Sequence, residues 1–250
     1  MSLPFLQNVL SFSNASLNRA TSLYPDGLGA SGDATVSSIT ARNSVGKVGT
    51  YAWEFNGTTN YVSSISSDLG STWSIAFWVK GKTASQGNTK WQIMGKGTSD
   101  PNEEFAIGSY ATFLDYETSP ANINNTLSTY DDAAWHFIVL VFDNGVVNAT
   151  KIYIDGSQAG SSATANNAAT KTATMFLGKV GVTYFAGTHF AGYLDEFSYW
   201  TRILSGAEIT TLYNSGTGIS VPSSGVSLAN CKIYYNFEQT SGNLINQAIP

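Results

Sequence analysis

One cysteine, two histidines and three methionines stand among 250 residues, and only 12% of the residues are charged. The lone thiol, Cys231, excludes an internal disulfide. Its setting in "NCKIYYNF" suggests a strand, where a buried thiol is inert. His136 and His189 form no pair at i, i+4, so a zinc centre has little support. The charged share is about half the usual one, and the net charge of −5 comes with no run of Lys or Arg. Nucleic acid and anionic membrane surfaces, which need a basic stripe, are poor partners for such a chain. No stretch approaches the roughly 18 apolar residues of a membrane span. The opening "MSLPFLQNVLSFSNASLNRA" has neither a basic start nor a sustained apolar run. It therefore predicts synthesis in the cytoplasm without a signal peptide.

What fills the gap left by charge is Gly, Ser, Thr and Asn. These residues compete with the helix backbone for hydrogen bonds and suit short strands joined by turns. An aromatic share of 13% provides for a packed core and argues against disorder. "YAWEFNGTTNYVSSI" alternates around an Asn-Gly turn, the best short-range hairpin signal. "WSIAFWVKG" puts Trp73, Ile75, Phe77 and Val79 on one face and Trp78 on the other. "KWQIMGKG" and "EEFAIGSYATFLDYE" are further period-two runs. "AWHFIVLVFD" is continuously apolar, as a central strand covered on both sides must be. "TKIYIDGSQAGS" runs into an Asp-Gly turn, and "TATMFLGKVG", "FAGYLDEFSYW" and "CKIYYNFEQ" complete about ten strands.

One helix interrupts this pattern, near 205–214, where Ser205 and Glu208 make a capping box ahead of "AEITTLYN". The expected fold class is therefore all-β, a two-sheet antiparallel β-sandwich of jelly-roll type. Residues 1–20 are weakly patterned and read as an N-terminal arm. Residues 21–250 read as a single domain that opens on a long Gly- and Asp-rich loop over 21–50. The 23 or so residues after "GTGISVPSSGVS" are too few for a core of their own. Residues 228–250 are thus expected to return to the same sandwich as a strand.

Four segments in order carry a resemblance. "FNGTTNYV", "WSIAFWVKG", "AAWHFIVLVFDNG" with "KIYIDGSQAGS", and "FAGYLDEFSYWTRILSGAEITTLYNSG" resemble laminin-G-like, pentraxin-like domains of the concanavalin A-like lectin/glucanase superfamily. The similarity spans about 51–216 and implies a concanavalin A-like jelly roll. "KIYYNFEQTSGNLINQA" resembles the family's opening strand but stands last here. A circular permutation and the start of a second repeat both explain that order. "SSDLGSTWS" also resembles the Asp-box of sialidase propellers, through Ser66, Asp68, Gly70, Thr72 and Trp73. It occurs once, whereas propellers repeat it in each blade. Trp73 is needed to begin the sandwich strand, so the segment reads as an ordinary turn.

Glucanases of the superfamily carry E-x-D-x-x-E on a strand. The nearest stretch here is "FLDYE", where Asp115 and Glu117 share a face but Phe113 stands where the nucleophile belongs. Asp195 and Glu196 are adjacent, so a regular strand sends them to opposite faces. No Ser or Asp partner is evident for either histidine, and His136 reads as satisfying a backbone group at a sheet edge. The expectation is that the chain is not an enzyme. The resemblance implies calcium (Ca2+) with Asp195 as one ligand, and the Asp- and Gly-rich loop over 21–50 offers Asp26 and Asp33 as others. Caps of turns are the competing reading of these acids. For sugar binding the resemblance points to aromatics outside the core: Tyr110, Tyr116, Tyr130 and Tyr184. Packing against neighbouring strands is the competing reading of these rings.

Two functions fit. The first is a virion-associated decoration or attachment protein, a homo-oligomer that packs against a particle or capsid protein through its low-charge surface. The second is a stand-alone carbohydrate-binding module for a glycan. A glycoside hydrolase stands a distant third.

Overall fold

The computed structural model describes residues 35–37, 42–43, 45–65, 70–81, 91–97, 103–110, 113–118, 121–126, 133–164, 175–179, 189–239 and 246–248. Within them, alternation of large apolar side chains builds two antiparallel sheets. On β5 (Thr72–Gly81), Trp73, Ile75, Phe77 and Val79 enter the core between the sheets, while Ala76 and Trp78 face outward. The neighbouring β10 (His136–Asp143) sends Ile138, Leu140 and Phe142 inward and Phe137, Val139 and Val141 outward. Trp73 stacks on Phe142 with ring centroids 4.9 Å apart. Both strands are thus covered on two faces, as their unbroken apolar runs require.

The eight-stranded sheet runs β12 (Ser157–Ala163), β11 (Thr150–Ile154), β10, β5, β14 (Ala191–Trp200), β3 (Ala52–Asn56) and β2 (Arg42–Asn43), with β15 (Cys231–Tyr235) also paired to β14. β14 is long enough to serve two partners along one edge. Its residues 191–194 pair with β3, and residues 197–200 pair with β15. The seven-stranded sheet runs β1 (Thr35–Ser37), β4 (Tyr61–Ile65), β13 (Met175–Leu177), β6 (Trp91–Gly97), β7 (Glu103–Tyr110), β8 (Phe113–Thr118) and β9 (Ala121–Thr126).

Several strands depart from the sequence expectation. β1 and β2 lie inside the stretch expected to be a loop, because β4 and β3 offer them open edges. "EEFAIGSYATFLDYE" is two strands, with Tyr110 opposite Phe113. "ANINNT" is β9, although Asn is a poor strand former. Its pairing with β8 overrides that propensity.

The outer face of the eight-stranded sheet carries a second apolar layer. There α1 (Gly206–Tyr213) lays Ile209 and Leu212 over Trp78, Phe137, Val139 and Trp200. Ser205 caps the helix: its Oγ accepts from Glu208 N at 3.3 Å, and its N–H donates to Glu208 Oε2 at 2.8 Å. Arg202 adds two charge-assisted bonds to the same carboxylate, at 2.8 and 3.0 Å. Asn214 ends the helix at φ +49°. The outer face of the seven-stranded sheet receives no such helix among the described residues.

Candidate functional site

The residues singled out by sequence fall in three places. Tyr110 closes β7, and Tyr116 lies in β8 opposite Ile107 and Ile123. Asp195 lies in β14. Tyr130, Tyr184, Asp26 and Asp33 lie outside the described residues.

Asp195 and Glu196 do not obey strand alternation. Glu196 sits at φ +52° in a bulge, so Leu194 and Phe197 both enter the inter-sheet core and the two acids between them lie together on the outer side. That corrects the expectation of opposite faces. Asp195 is fully buried; its Oδ2 accepts from Lys47 N at 2.8 Å and Val48 N at 3.0 Å, and its Oδ1 from Glu196 N at 2.9 Å. Glu196 Oε2 accepts from the Tyr234 hydroxyl at 2.7 Å. Burial pushes the Asp195 carboxyl up to about 7 against these N–H donors. Burial likewise pushes Glu196 up to about 8, against the Tyr234 bond and with the help of the Asp195 charge.

A third acid completes the arrangement. Glu238 Oε1 accepts from Thr50 N and Tyr51 N, both at 3.0 Å. Asp195 and Glu238 thus hold the 46–51 loop where β3 and β15 meet along β14. Lys47 reaches the other way, donating to the Gly216 carbonyl and lying 4.4 Å over the Trp78 ring. Both Asp195 oxygens are turned to N–H donors, which fits a loop anchor. Among the described residues no three His, Cys, Asp or Glu side chains gather so as to hold a metal ion.

His136 has an acidic partner that sequence reasoning missed. Its Nδ1 lies 2.8 Å from Asp155 Oδ2, and Asp155 Oδ1 accepts from Phe137 N at 2.9 Å. β10 is flanked by β5 and β11, so His136 is at no sheet edge. Asp155 and Gly156, at φ +51° and +80°, form the tight turn between β11 and β12. The Asp-Gly signal was visible; that its carboxylate would turn back to β10 was not.

A half-buried aromatic arrangement lies on the outer face of the seven-stranded sheet. Val62 enters the core, so Tyr61 faces out; Met175 and Leu177 enter it, so Phe176 faces out beside Tyr61. Their rings meet edge to face with centroids 6.1 Å apart. Lys179 Nζ lies 3.7 Å over the Tyr61 ring and 4.5 Å over Phe176. The His189 ring stands 6.3 Å from Tyr61. Burial and the Lys179 charge both lower the His189 pKa, so its ring is neutral at pH 7. From Phe176 the register runs across the sheet through Gly95 and Ala106 to Glu117 and Asn122. The smallest residue, Gly95, thus stands directly beside the aromatic-cationic cluster. The two rings offer packing to an apolar face and the ammonium a charge to a polar group.

Sequence reasoning did not single out Tyr61 or Phe176 as site residues. The signal was present in "NYV" and "MFL", where each ring is out of phase with core neighbours. A second half-exposed pair, Trp135 and Tyr193, lies on the eight-stranded sheet with rings tilted at 53° and 6.4 Å apart. Trp135 packs against the layer beneath α1, which makes it an extension of that layer.

Comparisons with known proteins agree with this architecture. The binding domain of botulinum neurotoxin DC, in complex with rat synaptotagmin II, superposes with a TM-score of 0.56 at 14% identity over 73% of this chain and 46% of its own. Botulinum neurotoxin type C, whose cell entry depends on interaction with two ganglioside molecules, gives 0.56 at 16% identity over 73% and 46%. This chain thus spans about half the length of those structures. Domain 4 of AbnA, a GH43 extracellular arabinanase from Geobacillus stearothermophilus in complex with arabinotriose, gives 0.50 at 21% identity over 70% and 80%. No curated protein sequence matches the chain. At such identities the likeness is one of fold. The sequence profile of the concanavalin A-like lectin/glucanases superfamily, however, matches residues 56–210, and the chain belongs to that superfamily.

Proposed function

We propose that the protein is a non-catalytic glycan-binding module whose site is the outer face of the seven-stranded sheet. The observation that carries this reading is the pair of half-buried rings, Tyr61 and Phe176, held side by side with a lysine ammonium over them. Aromatic faces pack on the C–H faces of sugars, while neighbouring polar groups take the hydroxyls. Superfamily membership supports it. So does the arabinotriose complex of a domain with the same fold.

A glycosidase needs two carboxylates that reach the scissile bond. Asp195 and Glu196 are 0% and 4% exposed and engaged in hydrogen bonds. At β8, Phe113 stands two before Asp115, where a nucleophile is needed. The intact chain on a glycan array is expected to retain a subset of oligosaccharides without cleaving them. Retention of none, or release of shortened products, contradicts the proposal.

A second reading is a component of a particle surface, a virion decoration or attachment protein that assembles as a homo-oligomer. It is favoured by the low charge of the chain, 12% of residues, since charged residues are depleted in interface cores. Light scattering with and without a calcium chelator tests it. A stable trimer or larger ring supports the particle role, and a monomer removes it.

A further inference from the structure

We propose that the sugar taken on this face carries a carboxylate, and that Lys179 is the residue that reads it. The proposal rests on the glycan-binding reading and narrows it to acidic saccharides. An ammonium has three N–H donors and no acceptor. The rings of Tyr61 and Phe176, at 3.7 and 4.5 Å, fix the Lys179 ammonium by its charge but accept none of those hydrogen bonds in the ordinary sense. Among the described residues no carboxylate lies within ion-pair distance of it, although the chain carries 17 acidic residues against 12 basic ones. In a protein of net charge −5, a lysine placed on aromatic rings and away from acids is an unspent cation.

A second, independent observation sits beside it. His189 Nδ1 is buried and has no hydrogen-bond partner. Buried polar atoms without partners are rare and call for an explanation, and a ligand or its bound water supplies one. With the imidazole neutral, Lys179 is the one full positive charge beside these rings among the described side chains. A carboxylate is therefore drawn to Lys179.

The test uses the intact chain on an array of matched neutral, sulfated, uronate-containing and sialylated oligosaccharides. The best-retained acid is then compared with its methyl ester by titration. The free acids are expected to be retained, and the ester to bind about tenfold more weakly or worse. Lys179→Arg, which keeps the cation, is expected to preserve the preference for the acid. Lys179→Gln is expected to abolish it while leaving the melting temperature unchanged. Tyr61→Leu is expected to weaken acid and ester alike. Equal binding of acid and ester, or retention of neutral or sulfated sugars alone, overturns the inference and leaves the glycan-binding reading standing. Retention of nothing overturns both.

Discussion

His136 Nδ1 and Asp155 Oδ2 lie 2.8 Å apart, and the contact ties the turn between β11 and β12 back to the first residue of β10. Asp155 sits in the turn itself, at φ +51°, and takes Phe137 N on its other oxygen. The pair is a staple of the hairpin. Asp155→Ala is expected to lower stability by about 1–3 kcal/mol, the usual cost of unpairing a part-buried polar group. Urea denaturation checks this, and glycan retention is expected to stay unchanged.

The buried acids dictate a pH dependence. Folding raises Asp195 from 3.8 to about 7 and Glu196 from 4.5 to about 8. Between those limits the folded chain binds more protons than the unfolded one, so stability falls as pH rises. The contribution is fully present below about pH 4 and is lost through pH 7–8. Urea midpoints are expected to drop between pH 5 and pH 8.5. Glu196→Gln keeps an acceptor for the Tyr234 hydroxyl and removes one titration, so it is expected to flatten the slope by on the order of one proton. An unchanged slope contradicts this assignment.

How much of this was legible in the sequence varied with the range of the interaction. Trp73, Ile75, Phe77 and Val79 announced their face by alternation alone, and Ser205 with Glu208 announced the helix start. Both are local signals. The bulge at Glu196 was not legible, because its cause lies in partners far along the chain: Lys47 and Val48 on one side, Tyr234 on the other. The same holds for the site. Tyr61 and Phe176 were readable as outward-facing residues, but their meeting depends on β13 pairing beside β4, more than a hundred residues away. β9 was missed for a similar reason, since only β8 beside it makes "ANINNT" a strand.

Gly178 positions the lysine that follows it. It holds φ +85°, its N–H donates to the Ile93 carbonyl at 2.7 Å, and an added Cβ would lie 2.3 Å from Phe55 Cδ1. Gly178→Ala is expected to cost at least the roughly 1–2 kcal/mol of left-handed strain. It should also weaken glycan binding by displacing Lys179, whereas Gly206→Ala, which meets nothing within 4 Å, should do neither. Thermal melts and titrations on the two variants check both statements.

Trp78 provides the control for aromatic loss without a site. It is 1% exposed, stacks on Tyr213 at 5.8 Å and belongs to the layer beneath α1. Trp78→Ala is expected to destabilise by about 3–5 kcal/mol. Glycan affinity at temperatures where it remains folded should not change.

The measurement that bears most directly on the central claim is a side-by-side titration of the best-retained oligosaccharide against the wild-type chain, Tyr61→Leu and Trp135→Leu. The expected result is a loss of about tenfold or more in affinity for Tyr61→Leu alone, with both variants folded by circular dichroism. Loss in Trp135→Leu with Tyr61→Leu unaffected would place the sugar on the eight-stranded sheet and contradict the account.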